Sequence, residues 1–93
     1  MAETVTVQIP TALRQHAGEN AKLELSGATV GEVLQELSSR FPELGRRLFK
    51  ADGQLNRYVN VFVNDEDIRF LQNLDTALSA GDGVAIVPAI AGG

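Results

Sequence analysis

A single α+β roll, a mixed sheet wrapped around one helix, is the fold class this chain of 93 residues predicts. Two patterns and their order carry it. Several short runs alternate apolar and polar residues with the period of a strand, and one longer stretch repeats apolar residues with the period of a helix. They follow one another as β, β, α, β, short β, β. Strands are therefore mostly sequence neighbours, and the one helix is long enough to cover a sheet face.

The first strand is read at residues 4–9, where Val5, Val7 and Ile9 point one way and Thr4, Thr6 and Gln8 the other. Pro10 has no N–H to give a ladder and stops it. Residues 11–21, with Gly18 and Asn20, read as a loop or wide turn. Leu23 and Leu25 alternate with Lys22, Glu24 and Ser26, making a second strand paired with the first.

The helix has the strongest local pattern. Thr29-Val30-Gly31-Glu32 matches a capping box, with the Thr29 hydroxyl accepting the N3 amide and Glu32 reaching back to the N-cap amide. Val30, Val33, Leu34, Leu37 and Phe41 then form one apolar stripe, with Glu32, Gln35, Glu36, Ser39 and Arg40 on the wet face. Pro42 ends the helix, because it disfavours the helical region at Phe41 and cannot extend the ladder.

Residues 43–57 are less regular, with Leu44 and Leu48 placed to make one helical turn at the core edge before an Asp52-Gly53 turn. Val59, Val61 and Val63 mark the most β-prone strand. Asn64 to Asp67 read as a turn leading into a short strand at Ile68-Arg69-Phe70, and Leu74 and Leu78 as a helical turn. Ala80 to Gly83 read as a tight turn before the last strand, Val84 to Val87. The core is expected from Val5, Val7, Ile9, Val59, Val61, Val63, Val84 and Ile86 against the helix stripe.

Composition removes whole classes of function. Twelve acidic and eight basic side chains leave a formal charge of −4. That opposes non-specific nucleic-acid binding, which needs cations to displace phosphate counterions. Cysteine is absent, which excludes disulfides, thiolate catalysis and thiolate metal sites. No apolar run nears the ~20 residues that span a bilayer. The start Met1-Ala2-Glu3 runs straight into a strand pattern rather than a signal peptide, so a cytoplasmic protein is expected.

No side-chain catalytic set assembles. His16 is the only histidine and sits in a predicted loop, where a surface role is the simpler reading. Asp65, Glu66 and Asp67 lack the ligand spacing of a calcium loop and read as a solvated turn. Gly81-Asp82-Gly83 precedes a strand, unlike a phosphate-cradling loop. Arg46, Arg47, Lys50 and Arg57 are read as solvated or salt-bridged surface. No metal and no bound cofactor are expected. Phe62 differs: parity puts it on the face opposite Val59, Val61 and Val63, and Val87 is read as sharing that outer face. An exposed aromatic beside aliphatics reads either as a partner site or as the scattered surface hydrophobes common on soluble proteins, and parity alone does not separate the two.

The chain ends Ala91-Gly92-Gly93 directly behind a strand. Glycine lacks a Cβ, so such a tail threads a slot too narrow for other residues. The Gly93 carboxylate, with an ordinary α-carboxyl value near ~3.5, is ionised and needs activation before a nucleophile attacks it. The domain is read as 1–88, with 89–93 a flexible tail whose five residues span about 17 Å when extended at ~3.4 Å each.

From Gly81 to Gly93, the Gly-Asp-x-Val turn, closing strand, Pro88 and terminal Gly-Gly resemble the C-terminal signature of the ubiquitin-like β-grasp sulfur carriers, the ThiS/MoaD family. The first strand and the helix from Thr29 to Phe41 are similar too, so the resemblance covers essentially the whole chain. It implies a β-grasp fold, β-β-α-β-β-β. The longer segment from Glu43 to Arg57 and the run from Arg57 to Phe70 look closest to the CysO-type carriers of cysteine biosynthesis. A molybdopterin-synthase small subunit and a ubiquitin-like protein modifier remain the alternatives.

By that resemblance, the chain is a protein cosubstrate and not an enzyme. An E1-like partner using ATP adenylates Gly93, sulfur replaces AMP to give a thiocarboxylate, and an acceptor enzyme takes the sulfur. The acceptor is a cysteine synthase using O-phosphoserine or the large subunit of molybdopterin synthase. Ala89, Ile90, Ala91 and Gly92 form the inserted tail, and Phe62 and Val87 match outer-sheet positions that such carriers present to partners. Neither nucleic acid nor membrane is an expected partner.

Overall fold

Alternation at the N-terminus builds β1 (Glu3–Gln8), which pairs antiparallel with β2 (Lys22–Gly27) from Glu3↔Gly27 to Gln8↔Lys22. The computed structural model describes residues 3–51 and 53–88. Val5 and Val7 are buried while Thr4 and Gln8 are exposed. The connection is more ordered than the expected loop. Thr11–His16 is a 3-10 helix that begins where the Pro10 carbonyl accepts the Leu13 amide at 2.9 Å. Leu13 and Ala17, four apart, bury against the core and explain why the segment folds down.

Helix α1 (Val30–Arg40) is capped as its sequence requires, the Thr29 hydroxyl accepting the Glu32 amide at 3.2 Å. The return contact lies one residue earlier than expected: Glu32 Oε1 accepts from the Ala28 amide at 2.9 Å. Thr29 itself bridges Ala77, which fixes its backbone beside the later chain. Val30, Val33, Leu34 and Leu37 are fully buried. Phe41 is the C-cap rather than a helical residue and packs half-buried on the core.

Pro42 does more than end α1. It occupies the first turn of α2 (Pro42–Leu48), where its missing N–H costs nothing. Leu44 and Leu48 are fully buried, so this segment belongs to the core and not to its edge. Beyond it, Phe49 bridges Leu55, closing the loop that carries Gly53 at φ +87°.

β3 (Val59–Val63) buries Val59, Val61 and Val63, and β4 (Glu66–Asp67) returns beside it through a turn with Asn64 and Asp65 at φ +50° and +72°. The short strand is therefore Glu66–Asp67; Ile68–Phe70, read as that strand, is a 3-10 turn. The Asp67 carboxylate accepts the Arg69 amide at 2.9 Å and turns the chain, sending Ile68 into the core. Asn73–Asp75 is a second 3-10 turn containing Leu74, and Leu78 buries separately after the Ala77 bridge.

β5 (Gly83–Pro88) enters the middle of the sheet, parallel to β1 and antiparallel to β3. The strand order is β2-β1-β5-β3-β4, mixed, with α1 packed on one face. All eight strand residues expected in the core are buried. This is the β-grasp arrangement that the resemblance implies.

Candidate functional site

The turn before β5 fixes where that strand enters the sheet. Gly81, at φ +87°, needs the left-handed conformation that glycine adopts freely. The Asp82 carboxylate accepts from the Ser79 amide at 2.8 Å and from the Asn64 side-chain amide at 3.0 Å, while Asn64 Oδ1 accepts the Gly83 amide at 2.9 Å. These bonds, the Ser79 amide first and the Asn64 amide second, hold the Asp82 carboxyl below its ordinary value. They also pin β5 against β1 and β3, so that Pro88 faces Val59. Ala89, Ile90, Ala91, Gly92 and Gly93 lie outside the described residues, as does the proposed boundary of a tail at 89.

The sheet face away from α1 carries the outer side chains of β5 and β3. Val87 is 43% exposed and pairs with Asn60. Phe62 pairs with Ala85 on one side and Asp67 on the other, making it a diagonal neighbour of Val87. Register thus places Phe62 opposite the core valines, but its side chain is half-buried rather than open. Tyr58, directly before β3 and next to the Val59–Pro88 pair, is 62% exposed. Parity along 58, 60 and 62 gave a signal for Tyr58 that sequence reasoning used only for Phe62.

A polar clamp borders the same face. Asp67 is buried, and its carboxylate receives the Arg69 guanidinium at 2.7 Å from Nη2 and 3.2 Å from Nε. Arg69 Nη2 also donates to Asn60 Oδ1 at 2.8 Å. The Arg69 side chain, then its backbone N–H, hold the Asp67 carboxyl below its usual value, and the hydrogen-bonded Asp67 carboxylate raises that of Arg69 in return. The acidic run is therefore not a uniformly solvated turn: Asp65 and Glu66 are exposed, whereas Asp67 is a structural acceptor. Nothing in the spacing of Asp67 and Arg69 announces this, because the pairing depends on the 3-10 turn between them.

The remaining candidates stay apart. His16 ends the first 3-10 helix, with only a 3.4 Å contact to Gln15. Arg46 pairs with Glu43 at 2.7 Å, and Arg47, Lys50 and Arg57 are exposed. Among the described residues, no group of three His, Cys, Asp or Glu side chains is arranged to hold a metal, and no helix is long and apolar enough to cross a membrane.

Fold and face together define a class: a small ubiquitin-like β-grasp protein whose final strand runs to its C-terminal residues beside a partly apolar outer sheet. Within that class, the chain belongs to the ThiS family, whose profile matches residues 7–93. It is 46% identical over 91 residues to the sulfur carrier protein CysO of Mycobacterium tuberculosis, covering 96% of this chain and 98% of the relative. The crystal structure of the Amycolatopsis orientalis BexX/CysO complex contains a chain of similar fold, with a TM-score of 0.87 and 46% identity over 96% of this chain and 99% of that one. The solution structure of small archaeal modifier protein 1 from Methanosarcina acetivorans superposes with a TM-score of 0.91 at 31% identity, covering 100% and 99%.

Proposed function

We propose that this chain is a sulfur carrier whose reactive group is the C-terminal carboxylate of Gly93, acting most directly in cysteine biosynthesis. The observation that carries the reading is a family match that runs through Gly93 itself, joined to a sheet whose central strand leads to that terminus. The near-full-length similarity to CysO supports the branch.

The chain is a cosubstrate, and partner enzymes perform the chemistry. An E1-like enzyme activates Gly93 with ATP: a carboxylate oxygen attacks the α-phosphate, pyrophosphate leaves, and an acyl-adenylate forms. The terminal sulfur of a persulfide then attacks the Gly93 carbonyl carbon and AMP departs. A thiol cleaves the S–S bond of the resulting acyl disulfide, leaving a thiocarboxylate on Gly93 and a disulfide on the donor. The loaded terminus passes sulfur to an acceptor, a cysteine synthase that uses O-phosphoserine. Ala89 to Gly92 supply reach into each partner, while Phe62, Val87 and Tyr58 dock the body outside. Exposed apolar groups next to a polar clamp have the anatomy of a small interface. The charge of −4 suits a soluble cytoplasmic carrier that meets basic partner surfaces.

Reconstitution with ATP, a persulfide donor, a thiol reductant and an activating enzyme tests this. Wild type is expected to release pyrophosphate and gain sulfur, and Gly92→Val to stay folded but unloaded, since a branched side chain blocks the slot. Normal loading of Gly92→Val sinks the threading argument. The likeness to an archaeal modifier favours one second reading, isopeptide conjugation through the same terminus. Covalent ladders on target lysines distinguish it from free cysteine as product. Stable co-purification with a molybdopterin-synthase large subunit is the signature of the third role.

A further inference from the structure

At the edge of β3 that β4 leaves uncovered, a cleft of about 320 Å³ opens between residues 53–55 and 68–74. Leu55, Val61, Ile68 and Leu74 line it, and Asn60, Asp67 and Arg69 border it. Val61 and Ile68 are 1% and 2% exposed, so the cleft reaches down to the core. Its volume lies at the small end for ligand cavities, enough for one bulky side chain and too little for a nucleotide.

Arg69 makes this more than an apolar gap. Its Nε and Nη2 are held by Asp67, and Nη2 also by Asn60, yet the side chain remains 62% exposed. Nη1 has no acceptor among the described residues. A guanidinium fixed through Nε and Nη2 loses little freedom when its remaining nitrogen, Nη1, donates to a carboxylate. Asp67 is also the cross-strand partner of Phe62, which makes the cleft continuous with the outer face.

We propose that this cleft takes one branched aliphatic or aromatic side chain of a docking protein, with a carboxylate beside it on that protein pairing with Arg69 Nη1. The inference rests on the carrier reading for its partner. An anchor side chain in a desolvated pocket supplies affinity, and a rim charge sets register. With the guanidinium already paired to Asp67, it is the directed Nη1 donor rather than a bare charge that selects a partner presenting a matching acceptor beside its anchor.

The test has two arms. In the first, the full chain labelled with nitrogen-15 is titrated with 4-methylpentanoate and with neutral 4-methylpentanamide. Both are expected to shift the amides of Leu55, Val61 and Ile68. The carboxylate should also shift Arg69 Nε and bind about threefold more tightly, the strength of an exposed ion pair, and Arg69→Gln should remove that preference. In the second, KM for the carrier is measured in ATP-dependent sulfur loading. Arg69→Gln, and Leu55→Phe as a cleft-filling variant, should each raise KM about threefold with kcat unchanged and a cooperative melt retained.

Absent shifts at those amides, or a carboxylate preference that survives Arg69→Gln, overturn the cleft assignment. Carboxylate binding with unchanged KM in both variants overturns the protein occupant in favour of a free small carboxylate. If wild type loads normally and the variants match it, only this inference fails. If wild type takes no sulfur, the carrier reading fails and the protein occupant falls with it.

Discussion

The side-chain amide of Asn64 and the carboxylate of Asp82, eighteen residues apart in sequence, meet at 3.0 Å and tie the β3–β4 turn to the start of β5. The contact matters because β5 carries the chain to its terminus. Asp82→Ala removes that bond and the one to the Ser79 amide together. A loss of about 1–2 kcal/mol is expected, read as a lower thermal midpoint. An unchanged midpoint would show that backbone pairing alone fixes this strand.

Gly45 provides a sharper steric test. A Cβ there would lie 2.6 Å from Ser38 Cβ and 3.1 Å from Ser38 Cα, so α1 and α2 touch through a missing side chain. Gly45→Ala should destabilise by about 1–3 kcal/mol although alanine is the better helix former. Gly53 has open space around its own Cβ position, but φ +87°. Gly53→Ala should lose only about 1 kcal/mol, from backbone strain. Chemical denaturation of the two variants decides whether packing outweighs propensity at Gly45.

Asp67 and Asp82 set the acid side of the stability profile. Both bind their proton more weakly in the folded chain than in the unfolded one. Their stabilisation is whole above the ordinary carboxyl value of about 3.9 and drains as pH falls through their lowered folded values. Asp67→Asn should therefore be less stable than wild type at neutral pH, with the gap narrowing below about pH 4. Denaturant midpoints at several pH values read it directly, and a constant gap would remove the carboxylate from the explanation.

On the outer face, exposure separates docking from folding. Tyr58→Ala and Val87→Asp should weaken partner binding with little change in melting, since both side chains are already open to solvent. Phe62→Ala should lower both, because the ring is half-buried. Isothermal titration with the activating enzyme, beside thermal melts, distinguishes them. A melting loss in Tyr58→Ala without weaker binding would move Tyr58 from the interface to the scaffold.

How much of this was legible in the chain follows from the range of the forces involved. Alternation in Val5-Thr6-Val7 and Val59-Asn60-Val61 writes a strand locally, and Thr29 with Glu32 writes a helix start locally. The eight core strand residues followed from parity alone. The 3-10 segments did not, because Leu13 and Ile68 are turned inward by tertiary burial with no repeating period. Pro42 looked like a stop because its ring forbids continuation, yet the same fixed φ starts α2. At the site, Phe62 and Val87 were placed on one face by strand parity. The Asp67–Arg69–Asn60 clamp was not foreseen, since it needs β3 and the turn after β4 to be adjacent first.

The most direct test of the central claim is the intact mass of the protein isolated from its own cells under non-reducing conditions, with fragmentation to locate any change. A sulfur-for-oxygen exchange confined to Gly93 is the expected result. A terminus that stays an unmodified carboxylate in cells engaged in cysteine synthesis, with wild type also refusing sulfur in reconstitution, would contradict it.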